Sequence, residues 1–148
     1  VTRNAPALSC TNILVVDDDD VSAESVLRVM RKSSMNFSLV TAADGLEALE
    51  ILRGQHRTKT INPPLLVLLD LNMPRMDGLD FLEQIRNDNV LHKTVVFVLT
   101  TSNRDLDRAA SYQRHIAGYI VKSDVGPQYS KLAELLTSYG KSITLPQD

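Results

Sequence analysis

At 148 residues, 43% hydrophobic and 23% charged, the chain is one domain's worth and can build a genuine core. A net charge of −2 with no basic stripe argues against a nucleic-acid partner. The single cysteine, Cys10, excludes an intrachain disulfide, and the aliphatic runs are too short to span a bilayer. No signal-peptide pattern precedes the first strand, so the expectation is a soluble, cytoplasmic chain with no membrane partner.

Residues 1–11 read as a loose N-terminal arm. "ILVV" (13–16) is a short buried run that ends in four aspartates, Asp17 to Asp20. Helical periodicity follows in Ala23, Val26, Leu27 and Met30, with Asp19 or Asp20 as its cap. "FSLVTA" (37–42) reads as a strand, and "DGLEALEILRG" (44–54) as a helix stopped by Gly54. A polar loop, 55–64, leads to "LLVLLD", five aliphatic residues ending in Asp70. Such a run is a strand covered on both faces, because an exposed face would produce polar alternation. A helix over 79–87 turns Phe81, Leu82 and Ile85 inward, and "TVVFVLT" (94–100) is the fourth strand. The helix over 104–115 carries a thin apolar stripe of Leu106, Ala109 and Ala110; "GYIVK" (118–122) is the fifth strand. Leu132, Leu135, Leu136 and Tyr139 mark a last helix closed by Gly140, and residues 141–148 form a tail. Five strands alternating with five helices imply an α/β fold, a doubly wound parallel sheet with helices on both faces.

In a parallel sheet the strand C-termini share one edge, and ligands bind there where the strand order reverses. Asp17 and Asp18 end the first strand, Asp70 the third, Thr100 the fourth and Lys122 the fifth, so all five converge on one pocket. Each close carboxylate pair costs roughly 4 kcal/mol at 4 Å and an effective dielectric of about 20. The cluster therefore requires a shared proton or a cation, and hard oxygen donors at a rigid sheet edge favour Mg²⁺. A lysine and a hydroxyl opposite complement a tetrahedral anion. The set suits a phosphoryl group beside a metal, with the central Asp70 as nucleophile.

The pieces "ILVVDD", "LLDLNMPRMDG", "VLTTS" and "GYIVK" together resemble the receiver domain of two-component response regulators, over about residues 12–140. The resemblance implies a flavodoxin-like strand order, 2-1-3-4-5, and a phosphoryl group accepted on Asp70 from a sensor histidine kinase. It implies Mg²⁺, or Mn²⁺, held directly by Asp18, largely through water by Asp17, with Asp70 in the metal set and the backbone carbonyl of Asn72 completing the shell. Thr100 and Lys122 would contact the phosphoryl oxygens, and Tyr119 would be the aromatic switch that follows Thr100. Two positions depart from the pattern: Ser123 stands where a proline usually follows the lysine, and branched Thr101 where a small residue is usual.

"LTTSNRD", "VKS" without proline, the long loop before "NPPLLVLLDLNMP" and the "TLP" ending look like the small regulators that partner phytochrome-type histidine kinases. Those relatives commonly form homodimers. The tail "SITLP" alternates in polarity, so it either pairs with a neighbour by strand addition or frays. Deleting residues 141–148 is expected to leave the fold intact and weaken dimerisation. With no further domain after the fifth helix, the expected output is a surface for a downstream protein. The alternative is a receiver-like binding module that acts without phosphorylation. A phosphohydrolase acting on external substrates is disfavoured, because Asn72 stands where a second acid is needed. His56, His92 and His115 have no metal-like spacing and read as surface residues. "GKS" (140–142) lacks the phosphate-loop glycine, since position 135 is Leu135.

Overall fold

The computed structural model describes residues 10–148. Five strands, β1 (Thr11–Val16), β2 (Phe37–Ala42), β3 (Leu65–Leu69), β4 (Val95–Thr100) and β5 (Gly118–Val121), form one parallel sheet in the order β2-β1-β3-β4-β5. The helices are α1 (Asp20–Arg31), α2 (Gly45–Leu52), α3 (Gly78–Arg86), α4 (Asp105–Gln113) and α5 (Leu132–Ser142). Successive strand residues point to opposite faces. Ile13 and Val15 join Leu66, Leu68, Phe97 and Leu99 under α1 and α5, while Leu14 and Val16 join Val67, Leu69, Val96 and Val98 under α2 and α3. That double coverage explains why the central strands are continuous aliphatic runs.

Register then levels the strand tips. Val16 pairs with Leu69, and the Asp70 amide donates to the Val16 carbonyl at 2.9 Å, so Asp17 and Asp70 leave the sheet side by side. Arg86 ties the opposite end, donating to the carbonyls of His92, Thr94, Arg114 and His115.

Several expectations change. Most of the expected N-terminal arm, residues 1–9, lies outside the described residues, and β1 begins at Thr11 rather than at position 13. The α4 stripe is not apolar: Leu106 is 73% exposed and Ala109 is exposed, while Ser111 is buried. A serine can face inward because its hydroxyl donates to the Asp107 carbonyl of its own helix at 2.7 Å. Leu27 and Ala23 are only half-buried in α1, where Ser22 takes the buried place; in α5, Leu135 is exposed. Gly140 does not close α5, which runs to Ser142. A Cβ there would meet Met35 Cε at 3.3 Å, so the glycine allows a close approach. Beyond the helix the tail turns back on its own domain: Leu145 is buried among the residues under α1 and α5, and Lys93 Nζ lies 3.1 Å from Asp148 Oδ1.

Candidate functional site

Asp17, Asp18 and Asp70 each present a carboxylate oxygen, all within 4.8 Å of one another. Asp17 and Asp70 are buried, whereas Asp18 is exposed. The short parallel connection after β1 accounts for the difference: Asp17 Oδ1 turns back to accept the Asp19 amide at 2.9 Å, and Asp19 caps α1 through the Val21 amide. Among the described residues the Asp18 side chain makes no hydrogen bond or ion pair.

Lys122 crosses the pocket from the end of β5. Its Nζ lies 2.9 Å from Asp17 Oδ2 and 3.7 Å from Asp70 Oδ2. Burial alone would lower the lysine pKa, but the Asp17 bond and the two carboxylate charges outweigh it and raise it. The ammonium therefore stays charged at neutral pH. Asp70 moves the other way. Burial raises its pKa and the Asp17 charge adds to this. Lys122, the Thr100 hydroxyl and the Asn72 amide oppose the rise without cancelling it. Asp70 Oδ1 also accepts the Leu71 amide at 2.8 Å. Thr100 is fully buried, and its Oγ1 accepts the Ser102 amide at 3.3 Å. The half-buried Tyr119 packs against the α2–α3 side of the core and donates its hydroxyl to the Ser102 carbonyl at 2.9 Å.

The donor set fits a hard divalent cation. Three carboxylates converge, one of them unpartnered and open to solvent. Sequence reasoning brought Asp17, Asp18, Asp70, Thr100 and Lys122 together, and the structure does the same. Tyr119 reaches the Thr100 strand through Ser102. Asn72 is exposed on the loop after β3.

Other groups escaped the sequence. Ser102 Oγ donates to Asp107 Oδ2 at 2.5 Å, which ties the loop after β4 to α4. Ser22 and Tyr129 share a hydroxyl contact of 2.9 Å between α1 and the turn before α5. His56 is not a surface residue. Its Nε2 lies 3.0 Å from Glu47 Oε2, and its Nδ1 accepts two backbone amides. Asp44 is buried against Arg75; burial alone would raise its pKa, but bonds from Arg75 and from the Glu47 and Leu46 amides hold it below the usual carboxylate value. Of these, only Asp44 left a signal, in the three-residue spacing to Glu47 that marks a capping box.

Residues 13–129 match the family model described as the response regulator receiver domain. The chain belongs to the response regulator receiver family. Receiver domains bind Mg²⁺ at such an acidic pocket and generally do not turn over external substrates. This receiver is 34% identical to response regulator Rcp1 of Synechocystis sp. over 135 residues, 90% of this chain and 92% of that protein. It superposes on the Mn(2+)-bound form of Rcp1 with a TM-score of 0.81, covering 91% of this chain and 98% of that one. The phosphorylated cyanobacterial phytochrome response regulator RcpA gives a TM-score of 0.80 at 30% identity, covering 93% of this receiver and 99% of that chain.

Proposed function

We propose that the protein accepts a phosphoryl group on Asp70 from the phosphohistidine of a sensor histidine kinase and thereby switches a protein-interaction surface. The observation that carries this reading is the bridging of buried Asp17 and Asp70 by Lys122 beside the open Asp18 carboxylate. Asp70 attacks phosphorus through a carboxylate oxygen; the phosphorus–nitrogen bond breaks, and the imidazole nitrogen leaves with the electron pair and takes a proton from solvent. Leu71 and Asn72 amides hold the attacking carboxylate in place, and Lys122 and Thr100 lie where phosphoryl oxygens arrive. Asp17, Asp18, Asp70 and the Asn72 carbonyl would hold Mg²⁺, or Mn²⁺. When bound, the ion supplies charge neutralisation of the carboxylates and the transferring oxygens.

The acyl phosphate carries about two negative charges beside Lys122 and Thr100 in place of the single charge of the Asp70 carboxylate, a net gain of about one. Swinging a two-state surface from 1:99 to 99:1 requires about 5.5 kcal/mol of differential stabilisation, a scale that charge-assisted bonds in a dry pocket approach. Thr100 and Tyr119 form the switch, since both bond Ser102 on the loop that leads into α4.

The similarity to Rcp1 and RcpA supports a phytochrome-type kinase as partner, and a homodimer and a downstream protein complete the reading. The proposed receiver is cytoplasmic; among the described residues no helix is long and apolar enough to cross a membrane. The test is intact-mass measurement after incubation with acetyl phosphate and Mg²⁺, for native protein and Asp70→Asn. A phosphate-sized gain on native protein alone supports the proposal. No gain with acetyl phosphate or any histidine-kinase donor favours a passive binding module.

A further inference from the structure

The proposed chemistry leaves Asp44 and Arg75 unused, yet their geometry is among the most constrained near the pocket. Asp44 already has a role as the cap of α2. Its Oδ1 accepts the Glu47 amide at 2.9 Å, and Glu47 Oε1 accepts the Ala43 amide at 2.7 Å. That reciprocal pair satisfies the helix end without a cation. Asp44 nevertheless takes both arms of Arg75, Nε to Oδ2 at 2.6 Å and a terminal nitrogen to Oδ1 at 3.1 Å. Arg75 makes this fork from φ +62°, a left-handed backbone that a side chain adopts only when its surroundings hold it there. A strained backbone and an immobilised arginine are two costs at one position, in the loop that leaves Asp70.

The loop from Leu71 to Met76 is tied at both ends. Near β3, the Leu71 and Asn72 amides bond the Asp70 carboxylate. At the far end, Arg75 grips Asp44, and the Gly45 amide donates to the Met76 carbonyl at 3.1 Å. The second tie depends on a glycine: a Cβ at position 45 would stand 2.8 Å from Met76 Cγ and 2.9 Å from its carbonyl oxygen. Asn72 belongs to the near anchor through its amide, its side chain is exposed with no bond among the described residues, and its carbonyl opens the span that runs to Arg75.

We infer that Arg75 is a positioning residue for the divalent-ion site: its fork onto Asp44 fixes the loop that carries the Asn72 carbonyl, and so sets the affinity for the ion. The inference rests on the metal-assisted reading above. If the fork is lost, the backbone of Asn72 must be ordered when the ion binds, and affinity falls by that ordering cost.

The test titrates the full chain with Mn²⁺ alone, following free Mn²⁺ by electron paramagnetic resonance, with urea unfolding in metal-free buffer alongside. Arg75→Ala is expected to weaken Mn²⁺ binding about tenfold. Arg75→Gly is expected to weaken it similarly while keeping near-native stability, because glycine accepts the left-handed backbone without strain. Asp44→Asn should weaken Mn²⁺ binding in the same direction, and the double variant Asp44→Asn with Arg75→Ala should bind no worse than the weaker single. Affinities within twofold of native in both Arg75 variants would overturn the role of Arg75 alone. A native chain that binds no Mn²⁺ overturns the metal-assisted reading and this inference with it.

Discussion

Asp70→Asn should make the metal-free protein more stable at neutral pH. Carboxylates within 4.8 Å of one another repel by at least about 3.5 kcal/mol at an effective dielectric of about 20, and Lys122 at 3.7 Å from Asp70 returns about 4.5 kcal/mol. These nearly cancel, leaving the burial of a charged Asp70 and the nearby Asp18 charge uncompensated, consistent with a raised Asp70 pKa. Asparagine removes that charge in a similar volume, for an expected gain of about 1–2 kcal/mol. For a domain of this size that is roughly 2–6 °C in melting temperature.

The sign of the pH dependence follows from proton counts. A carboxyl with a raised folded pKa binds more protons folded than unfolded, so wild-type stability falls as pH rises through that window. Below the unfolded carboxyl pKa both states are protonated and the advantage of the variant vanishes. It grows as pH rises from the unfolded pKa through the folded one and is complete above the folded pKa. Saturating Mg²⁺ should reverse the order, because the native protein gains more from binding. Urea unfolding in chelator from pH 3 to 8, repeated with Mg²⁺, measures this. A variant less stable than native protein at pH 7 in chelator would refute the charge argument.

Replacing Arg86 with Met removes four carbonyl bonds at the end of the sheet opposite the acids; with two of those carbonyls exposed enough to rehydrate, the expected loss is about 3 kcal/mol by urea unfolding. Gly78→Ala sets a methyl 2.5 Å from the Asp70 carbonyl and 2.8 Å from Leu71 Cα, so the end of β3 must shift. Phosphorylation by acetyl phosphate should fall at least about tenfold, with about 1–3 kcal/mol lost in stability. Leu145→Ala should cost about 2–3 kcal/mol, because that side chain is buried in this chain's own core. Unchanged stability with weakened dimerisation, measured by sedimentation, would instead assign the tail to a neighbour.

The groups that meet in the pocket were legible because each is a polar residue ending an apolar run. Asp17, Asp70, Thr100 and Lys122 owe their meeting to strand direction and register, and both are encoded in the alternation of elements. What holds those groups was harder to read. Nothing in an arginine announces a left-handed backbone, so Arg75 gave no sign of its fork onto Asp44. Ser111 faces inward against its polarity because its own helix satisfies the hydroxyl. Gly140 looked like a helix stop but serves close packing against Met35. Leu145, a lone aliphatic in a polar tail, had no periodicity to reveal its burial.

Charge balance joins the pocket to the surface. Three carboxylates and one ammonium leave two negative charges, which a single divalent ion cancels. Under the proposed function, the acyl phosphate replaces the single charge of Asp70 with about two, a net gain of about one, and the positive side chain beside it is Lys122. To meet the phosphoryl group, Lys122 Nζ must loosen its 2.9 Å contact with Asp17. Thr100 would donate its hydroxyl to the same oxygens, and any movement of its Oγ1 pulls on the Ser102 amide it now accepts. Ser102 in turn receives Tyr119 on its carbonyl and holds Asp107 of α4 through its hydroxyl. Under the proposed function, a change of charge at Asp70 thus acts on one residue that holds both the Tyr119 hydroxyl and a helix whose outer face exposes Leu106 and Tyr112. In that reading the Ser102 hydroxyl bond to Asp107 is the route by which the change reaches α4.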